Sequence, residues 1–319
     1  MGDIGGTNDD LAAVEVSEQG LEIVFKEDRS TRRHQDFSKV VNDFLEDLRE
    51  DMEIEVDSAC FAVAGPVENQ RVEMPHTDLT IDADRLEKET ELEEVRVIND
   101  FDAIGYAVNI LDGKDLRQVQ KGHQRAQKPI AVVGAGTGLG KNLVIYDEHI
   151  DTYVPHSSEG GHADLPVTSE EELELAEMIK REHGIESEVA YEHVLSGQGL
   201  ENIYSFLHSK YPEEEQNLNA REISETKEEN PCSRETFDKF IEFYARCCRN
   251  YVLDTLPENG LYIVGGIAAK NPEEFDQRFV EEFRNASPQF HQLLSEIPIR
   301  VVTNYDISLK GAAHALQIE

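Results

Sequence analysis

The stretch from Val95 to Leu111 constrains the fold more than any other part of the chain. It opens with a run of β-branched residues, which is typical of a buried strand, and it continues with apolar residues at helical spacing. The polar pair Asn99-Asp100 separates the two patterns. A strand that runs through Asn-Asp into a helix places a carboxylate at the carboxyl edge of a sheet, where α/β proteins bind ligands. The simpler alternative is that Asp100 only caps the helix, since Asp and Asn are preferred there.

The charge of the chain is strongly negative, with 66 Asp and Glu residues against 30 Lys and Arg residues and a net charge of −36. Such a surface repels nucleic acid and anionic lipid, so we expect neither as a partner. The acidic residues are spread between well-formed apolar patterns, which argues against disorder. We expect instead a protein adapted to a salt-rich cytoplasm, where counterions screen the repulsion at short range.

The cysteines and the apolar runs exclude several other classes of protein. Four cysteines, at 60, 232, 247 and 248, show no C-x-x-C spacing, so neither a zinc site nor a disulfide framework is predicted. No apolar run approaches the length of a membrane span, and no signal peptide precedes the first glycine motif. We therefore expect a soluble, reduced, cytoplasmic protein with no membrane contact.

Strand and helix patterns alternate along the chain, which predicts an α/β layer fold. We expect strands at 11–16, 21–25, 59–67, 95–98, 129–133, 143–146, 261–269 and 299–302, and helices at 37–48, 81–89, 100–111 and 307–316. A polar connector is expected over 112–128, mainly helical patterns over 169–249, and a solvated acidic stretch over 212–230.

The first glycine-rich motif is Asp3-Ile-Gly-Gly-Thr-Asn8. Consecutive glycines, here Gly5 and Gly6, let backbone N–H groups turn toward a bound anion, and the hydroxyl of Thr7 can donate as well. Asp3 can hold a magnesium ion, through water. The alternative for this motif alone is a hairpin turn.

The second glycine-rich motif, Gly134–Gly140, matches neither common nucleotide-binding signature. Ala135 stands where the P-loop pattern needs a glycine, and Asn142 stands where that pattern needs Ser or Thr. Leu139 occupies the last glycine position of the dinucleotide pattern. Because the loop joins two predicted strands, we interpret it as a β-hairpin phosphate clasp of another type.

Three further motifs carry polar groups or bare backbone. Glu159-Gly-Gly-His162 offers acceptors and a donor for a hydroxylated ligand, with a metal site as the less favoured alternative. Glu192 precedes a serine- and glycine-containing segment, and a solvated helix face is its simpler interpretation. Gly265-Gly266 follows a strand, where bare backbone would let a flat ring approach.

Taken together, these motifs resemble the bacterial-type glucokinases of the sugar kinase and actin-like ATPase superfamily. The matching segments are, in family order, DIGGTN, AGPV with the later PHT, INDF, GAGTGLG, EGGH, E-x-V-L-S-G-x-G-L and the GGI that follows a strand. They cover nearly the whole chain. Similar proteins carry an apolar strand before the first motif, and only Met1 and Gly2 precede it here, so either the start is misassigned or the sheet loses a central element. The acidity suggests a version from a salt-in halophile, a halophilic archaeon.

The resemblance implies a two-domain α/β protein with the actin-like ATPase or hexokinase-type fold and an active-site cleft between the domains. The small domain would comprise residues 1–111 and 303–319, and the large domain would comprise residues 112–302. Similar proteins are usually homodimers, so a homodimer is expected.

The resemblance also implies roles for individual residues. Asp100 would be the catalytic base. Glucose hydroxyls would be bound by Asn99, Asp100, Glu159, His162 and Glu192. The ATP phosphates and Mg²⁺ would be held by Asp3, Gly5, Gly6, Thr7, Asn8, Gly136, Thr137 and Gly138, and the adenosine would be bordered by Gly265, Gly266 and Gly311.

The function that the resemblance implies is an ATP-dependent glucokinase, which converts glucose and MgATP into glucose 6-phosphate and ADP. The residue types suit this chemistry, because phosphoryl transfer needs positioning, charge stabilisation and a carboxylate that accepts the hydroxyl proton. The alternatives are a kinase of another hexose or with another phosphoryl donor, a sugar-responsive regulator and a non-catalytic sugar binder.

Overall fold

The structure is a computed structural model, and it describes residues 1–5, 9–17, 20–29, 36–74 and 79–318. The chain divides into two compact units. The first unit contains residues 1–112, 144–157 and 305–319, and the second contains residues 113–143 and 158–304. Among the described residues, no helix is long and apolar enough to cross a bilayer.

The helices and strands alternate as the sequence predicts. The helices are α1 Phe37–Met52, α2 Ala83–Glu89, α3 Asp100–Ala107, α4 Glu170–His183, α5 Gly197–Leu207, α6 Ala220–Thr226, α7 Pro231–Thr255, α8 Gly266–Lys270, α9 Gln277–Arg284, α10 His291–Glu296 and α11 Ile307–Ala315. The strands are β1 Gly2–Ile4, β2 Asp9–Ser17, β3 Gly20–Arg29, β4 Ser58–Val63, β5 Arg71–Glu73, β6 Thr80–Asp82, β7 Glu94–Asn99, β8 Leu116–Gln120, β9 Ile130–Ala135, β10 Leu139–Asp147, β11 Thr152–Ser158, β12 Gly260–Val264 and β13 Ile299–Val302.

The division into units differs from the expected domains at residues 144–157, which we had placed in the large domain. The side chain of Asn109, which follows α3, explains their place in the first unit. Its Nδ2 donates to the Tyr153 carbonyl (2.9 Å), and its Oδ1 accepts from the Tyr153 N–H (3.0 Å). The Ser157 hydroxyl also donates to Asp102 Oδ2 (2.6 Å).

The main sheet of the first unit has the strand order β3-β2-β1-β4-β7. The central strand β1 runs parallel to β4 and antiparallel to β2, and β4 runs parallel to β7. Parallel pairing places the ends of β1 and β7 at the same edge of the sheet. The sheet therefore brings the residues at the end of β7 to the same edge as Asp3 of β1.

A pocket of about 520 Å³ lies inside the first unit, in line with β1. The backbone of Met1, just before β1, is hydrogen-bonded to Ala12 of β2. Past the Met1 end of β1, the strands β2 and β4 border the pocket. Its walls come from residues 11–16, from residues 54–59 and from the inner face of α1, including Phe44. The central strand of this sheet is therefore β1, and it is only three residues long.

The sheet of the second unit has the order β11-β10-β9-β12-β13-β8, of which β11 and the second half of β10 are assigned to the first unit. The strands β9, β12 and β13 are parallel, and β8 pairs antiparallel with β13. The strand β8 lies within the predicted polar connector, which was therefore wrong at this point. Its buried Gln120 donates to the carbonyls of Leu294 (2.8 Å) and Ile297 (2.6 Å), so a polar side chain ties this edge strand to α10 and to the segment that leads into β13.

The core of the second unit is built on a chain of aromatic rings along α7 and α9. Successive ring centroids lie 5.3 to 6.3 Å apart, which is the range of favourable aromatic contacts. The rings belong to Phe237, Phe240, Tyr244, Phe275, Phe279 and Phe283.

Other predicted boundaries shift for local reasons. The predicted helix 81–89 begins at Ala83, because Asp82 is its N-cap and accepts from the Arg85 N–H. The predicted strand 261–269 ends at Val264, since Gly265 has a positive φ of 91° and α8 follows it. The acidic stretch 212–230 contains the short helix α6, which Asn219 caps.

Candidate active site

In the first unit, Asn99 and Asp100 have separate tasks at the start of α3. Asn99 is the N-cap, and its Oδ1 accepts from the N–H groups of Phe101 (2.9 Å) and Asp102 (3.3 Å). Its Nδ2 donates to the Gly65 carbonyl (3.1 Å). Asp100 is the first helical residue, and its Oδ1 accepts from the Phe101 N–H (2.8 Å). The capping role considered for Asp100 therefore belongs to Asn99, and the Asp100 carboxylate is held at the positive end of the helix dipole.

The pKa of the Asp100 carboxyl group is unusually high. Burial and, after it, the nearby negative charge of Asp3 raise its pKa from 3.8 to about 6, against the hydrogen bond from Phe101. Burial likewise raises the pKa of Asp3, to which the Ser308 hydroxyl donates a hydrogen bond. The first unit thus brings two half-buried carboxylates together at the carboxyl edge of its sheet.

Gly311 lies in α11, where it packs against α3. A Cβ atom at this glycine would lie 1.8 Å from the Ala103 carbonyl oxygen, so no side chain fits. The close approach of the two helices accounts for this glycine structurally. Its implied role beside the adenosine stays a prediction.

In the second unit, the loop of Gly136, Thr137 and Gly138 connects β9 to β10, which confirms that it joins two strands. The Gly136 N–H donates to the Gly138 carbonyl (2.8 Å), and the Gly197 N–H at the start of α5 donates to the Gly136 carbonyl (2.8 Å). Nothing lies within 4 Å of a Cβ built on Gly136, so its backbone faces open space. An anion can approach the loop from this side.

Glu192 lies directly behind this loop, in a short 3₁₀ turn, Tyr191–His193. Its Oε2 accepts from the Leu139 N–H (2.9 Å), and a Cβ on Gly138 would lie 2.5 Å from the same oxygen. The side chain is 31% exposed, so it is not the solvated helix face that we considered. Glu192 therefore links the glycine loop to the turn that contains His162.

The turn of Glu159, Gly160, Gly161 and His162 lies against the same strand. A Cβ on Gly161 would lie 2.0 Å from the Leu139 carbonyl oxygen, which leaves room only for glycine. His162 Nδ1 is 4.0 Å from Glu192 Oε1, and His162 Nε2 is 3.8 Å from Glu159 Oε2. The second unit thus gathers two carboxylates and an imidazole into one accessible polar group.

A metal centre at this polar group has no support in the part of the chain that the structure describes. No group of three or more His, Cys, Asp or Glu side chains is arranged there to hold an ion. The donor and acceptor chemistry of the group suits hydroxyl groups instead.

Gly265 and Gly266 lie beside the end of β9. A Cβ on Gly265 would lie 2.5 Å from the Ala135 carbonyl oxygen, whereas a Cβ on Gly266 would meet nothing within 4 Å. Gly265 is needed for close packing and for its positive φ, and Gly266 exposes bare backbone at the start of α8.

Several predicted residues lie outside the described part of the chain, namely Gly6, Thr7 and Asn8 and the segment PHT at 75–77. Gly5, which is described, is half-buried at the end of β1.

One residue of this site was not singled out from the sequence. Ser308 is buried at the start of α11 and donates to Asp3. The sequence contains a signal for it, because Ser308 shares the apolar face of α11 with Gly311, Ala312 and Ala315, where a lone hydroxyl needs a partner.

Known proteins resemble this chain over nearly its whole length. The sequence model of the family Glucokinase matches residues 1–319. A glucokinase of Nostoc punctiforme is 33% identical over 336 residues, which cover 98% of this chain and 96% of that protein. The crystal structure of a glucokinase from an Antarctic psychrotroph is 26% identical, covers 99% of this chain and 97% of its own, and has a TM-score of 0.81. A ROK family glucokinase from Streptomyces griseus, in complex with glucose and AMPPNP, is 18% identical, with 98% and 97% coverage and a TM-score of 0.69.

The fold is thus the α/β fold of the sugar kinases within the actin-like ATPases. The chain belongs to the glucokinase family.

Proposed function

We propose that this protein transfers the γ-phosphoryl group of MgATP to the 6-hydroxyl of glucose, with Asp100 as the general base. The observation that carries the proposal is the half-buried Asp100 carboxylate at the start of α3, whose pKa of about 6 lies close to neutral pH. A general base is most effective when its pKa lies near the working pH.

Asp100 has a defined task in the transfer. Its carboxylate accepts the proton of the attacking hydroxyl as the oxygen–phosphorus bond forms and ADP leaves with the electron pair of the broken bond. The Phe101 N–H and the N-terminus of α3 hold the carboxylate in place, so that it need not reorganise during the reaction.

The remaining polar residues suit the rim of a sugar. Glu159 and Glu192 accept hydrogen bonds from hydroxyls, and the imidazole of His162 donates or accepts. The Asn99 amide has a second hydrogen besides the one that it gives to Gly65, and that hydrogen is a donor for a hydroxyl. We assign glucose binding to these four residues and Asp100.

The nucleotide is assigned to the glycine-rich segments. We propose that Gly5, Gly6, Thr7 and Asn8, together with the open backbone of Gly136, Thr137 and Gly138, face the phosphates. Bare backbone at Gly265 and Gly266, and the segment near Gly311, would border the adenosine.

A magnesium ion fits the chemistry of Asp3. Burial raises the pKa of both Asp3 and Asp100, and the charge of Asp3 also raises that of Asp100, so a nearby cation would relieve the cost of ionising them. Mg²⁺ is commonly bound through one or two carboxylates, waters and substrate phosphates, which agrees with Asp3 as a ligand through water. When bound, the ion neutralises charge on the transferring phosphoryl group.

Three wider properties complete the proposal. We infer adaptation to high salt from the net charge of −36, which strong ionic screening would render tolerable. We further infer a cytoplasmic location, where ATP is available, and a homodimer.

The test is glucose-dependent ADP formation from MgATP in multimolar KCl, for the wild type beside Asp100→Asn. Asparagine preserves the shape of the side chain and cannot accept the proton, so we expect kcat to fall by about a thousandfold. Glucose binding, measured by titration calorimetry, should persist.

The matched control is Asp102→Asn, which removes a carboxylate from the same helical turn and should change kcat by no more than about threefold, as expected outside the reacting centre. Equal activity of the wild type and Asp100→Asn would show that Asp100 is not the base.

A further inference from the structure

We propose that Ser308 is a positioning residue, which fixes the direction of the Asp3 carboxylate and thereby the affinity for the metal–nucleotide complex. The inference rests on the role proposed for Asp3 and adds the residue through which α11 takes part in the site.

The contact itself is direct. The Ser308 hydroxyl donates to Asp3 Oδ2, and Ser308 is 7% exposed. A carboxylate has two oxygens in a fixed plane, so a donor that holds one oxygen also sets the direction of the other. The hydroxyl therefore determines which way Asp3 presents its remaining lone pairs.

The hydroxyl is itself held firmly, because α11 is tied down at both ends. Before its first turn, Asp306 accepts from Lys26 (2.7 Å), which also pairs with Asp10 (2.9 Å). At its last turn, Arg96 donates to the carbonyls of Ala315 and, at 3.3 Å, Ile318. Ser308 thus projects from an anchored helix.

The middle of α11 provides a third restraint. Gly311 lies so close to Ala103 of α3 that a side chain is excluded, and α3 begins with Asp100. The helix that holds Asp3 through Ser308 therefore also packs on the helix that holds Asp100. Without the hydrogen bond, repulsion between the two carboxylates would turn Asp3 away.

The experiment compares Ser308→Ala with Ser308→Thr, which retains the hydroxyl. We expect Ser308→Ala to raise the calorimetric Kd for MgADP and the KM for MgATP by about tenfold, the loss typical of a hydrogen bond to a charged group. The Kd for glucose should stay within about twofold. Ser308→Thr should restore most of the MgADP affinity.

Ser38→Ala is the matched control in the same unit. Ser38 is 4% exposed, and its hydroxyl donates to a carboxylate, Glu89 Oε2 (2.6 Å), outside the site. It should lower the melting temperature about as much as Ser308→Ala and leave the affinity for MgADP unchanged. If Ser308→Ala destabilises the fold too strongly, Ser308→Cys, which keeps the volume and donates only weakly, takes its place.

The outcomes separate this inference from the proposed function. If Asp3→Asn weakens MgADP binding and Ser308→Ala does not, Asp3 retains its role and the inference is overturned. If neither change affects MgADP binding, the role of Asp3 fails as well. Two results would show that Ser308 does not act through Asp3. In the first, Ser308→Ala weakens the binding of glucose and of MgADP equally. In the second, Ser308→Ala weakens MgADP binding by the same factor when Asp3 is already replaced by Asn.

Discussion

The two units of this protein are stabilised in different ways. All seven aromatic side chains among the largest fully buried residues lie in the second unit, on α5, α7 and α9, whereas those of the first unit are aliphatic. The first unit also contains the pocket of about 520 Å³ in line with β1. Close packing gives the interior of the second unit little room to relax, and the first unit has unfilled space next to its central strand.

The difference extends to the site residues. In the second unit, Glu192, His162 and the glycine loop lie on a closely packed scaffold and are partly open to solvent. In the first unit, Asp3 and Asp100 are half-buried carboxylates whose pKa values are raised by burial. Under the proposed function, the second unit would thus present its sugar-binding groups on a rigid scaffold, and the first unit would hold its reactive carboxylates at a cost in stability.

The largest effect should come from removing a ring in each core. Phe279→Ala, in the aromatic chain of the second unit, should lower the free energy of unfolding by about 4 kcal/mol, because the close-packed surroundings cannot collapse. Phe44→Ala, at the wall of the pocket, should cost less, since that ring already borders empty space. Urea denaturation measures both, and an equal or larger cost for Phe44→Ala would contradict the difference in packing.

A second, smaller effect concerns pH. Because the folded-state pKa of Asp100 is raised from 3.8 to about 6, the folded state binds more protons in this window, and the contribution of Asp100 to stability falls as pH rises from about 4 to 6. Asp100→Asn should therefore stabilise the protein at pH 7, by about 3 kcal/mol, and should change little at pH 4.

Thermal unfolding of the two proteins at pH 4 and pH 7 measures this difference. Asp102→Asn, on the same turn of α3, removes only the smallest of the charges that raise the pKa of Asp100, so it should give a much smaller gain at pH 7 and none at pH 4. If Asp100→Asn is instead less stable than the wild type at pH 7, the ionised carboxylate stabilises the fold, and the predicted destabilisation by Asp100 is wrong.

The smallest effect should come from filling the pocket. Ala59→Val adds two methyl groups at the pocket wall in β4, where a β-branched residue suits the strand, and should raise the free energy of unfolding by about 1 kcal/mol. Ala62→Val, three residues further along β4 and away from the pocket, should destabilise through overpacking. Calorimetry measures the melting temperature of both variants. If both changes shift it in the same direction, the predicted difference in packing between the two positions is wrong.

Local patterns predicted much of the fold. The apolar runs and the polar pair Asn99-Asp100 predicted the strand and helix around the proposed base, and the strand patterns on either side of Gly134–Gly140 predicted that this segment joins two strands. These features depend on residues that are close together in the sequence, so the local sequence pattern is enough to predict them.

Contacts between distant segments were not predictable in this way. The strand β8 has a polar composition because Gln120 bonds to carbonyls more than 170 positions away. The placement of Glu192 behind the loop depends on the Leu139 N–H, 53 positions earlier in the chain. The contact between Ser308 and Asp3 spans almost the whole chain, and only the serine on an apolar helix face hinted at it.

The pocket beside β1 also has a mechanical consequence. Unfolding eliminates imperfectly packed volume, and the first unit has its apolar pocket directly against the sheet, whereas the core rings of the second unit are in contact with one another. Hydrostatic pressure favours the smaller volume, and it should therefore loosen the first unit at pressures that leave the aromatic core of the second unit intact. Compression would thus unfold first the unit that holds Asp3 and Asp100.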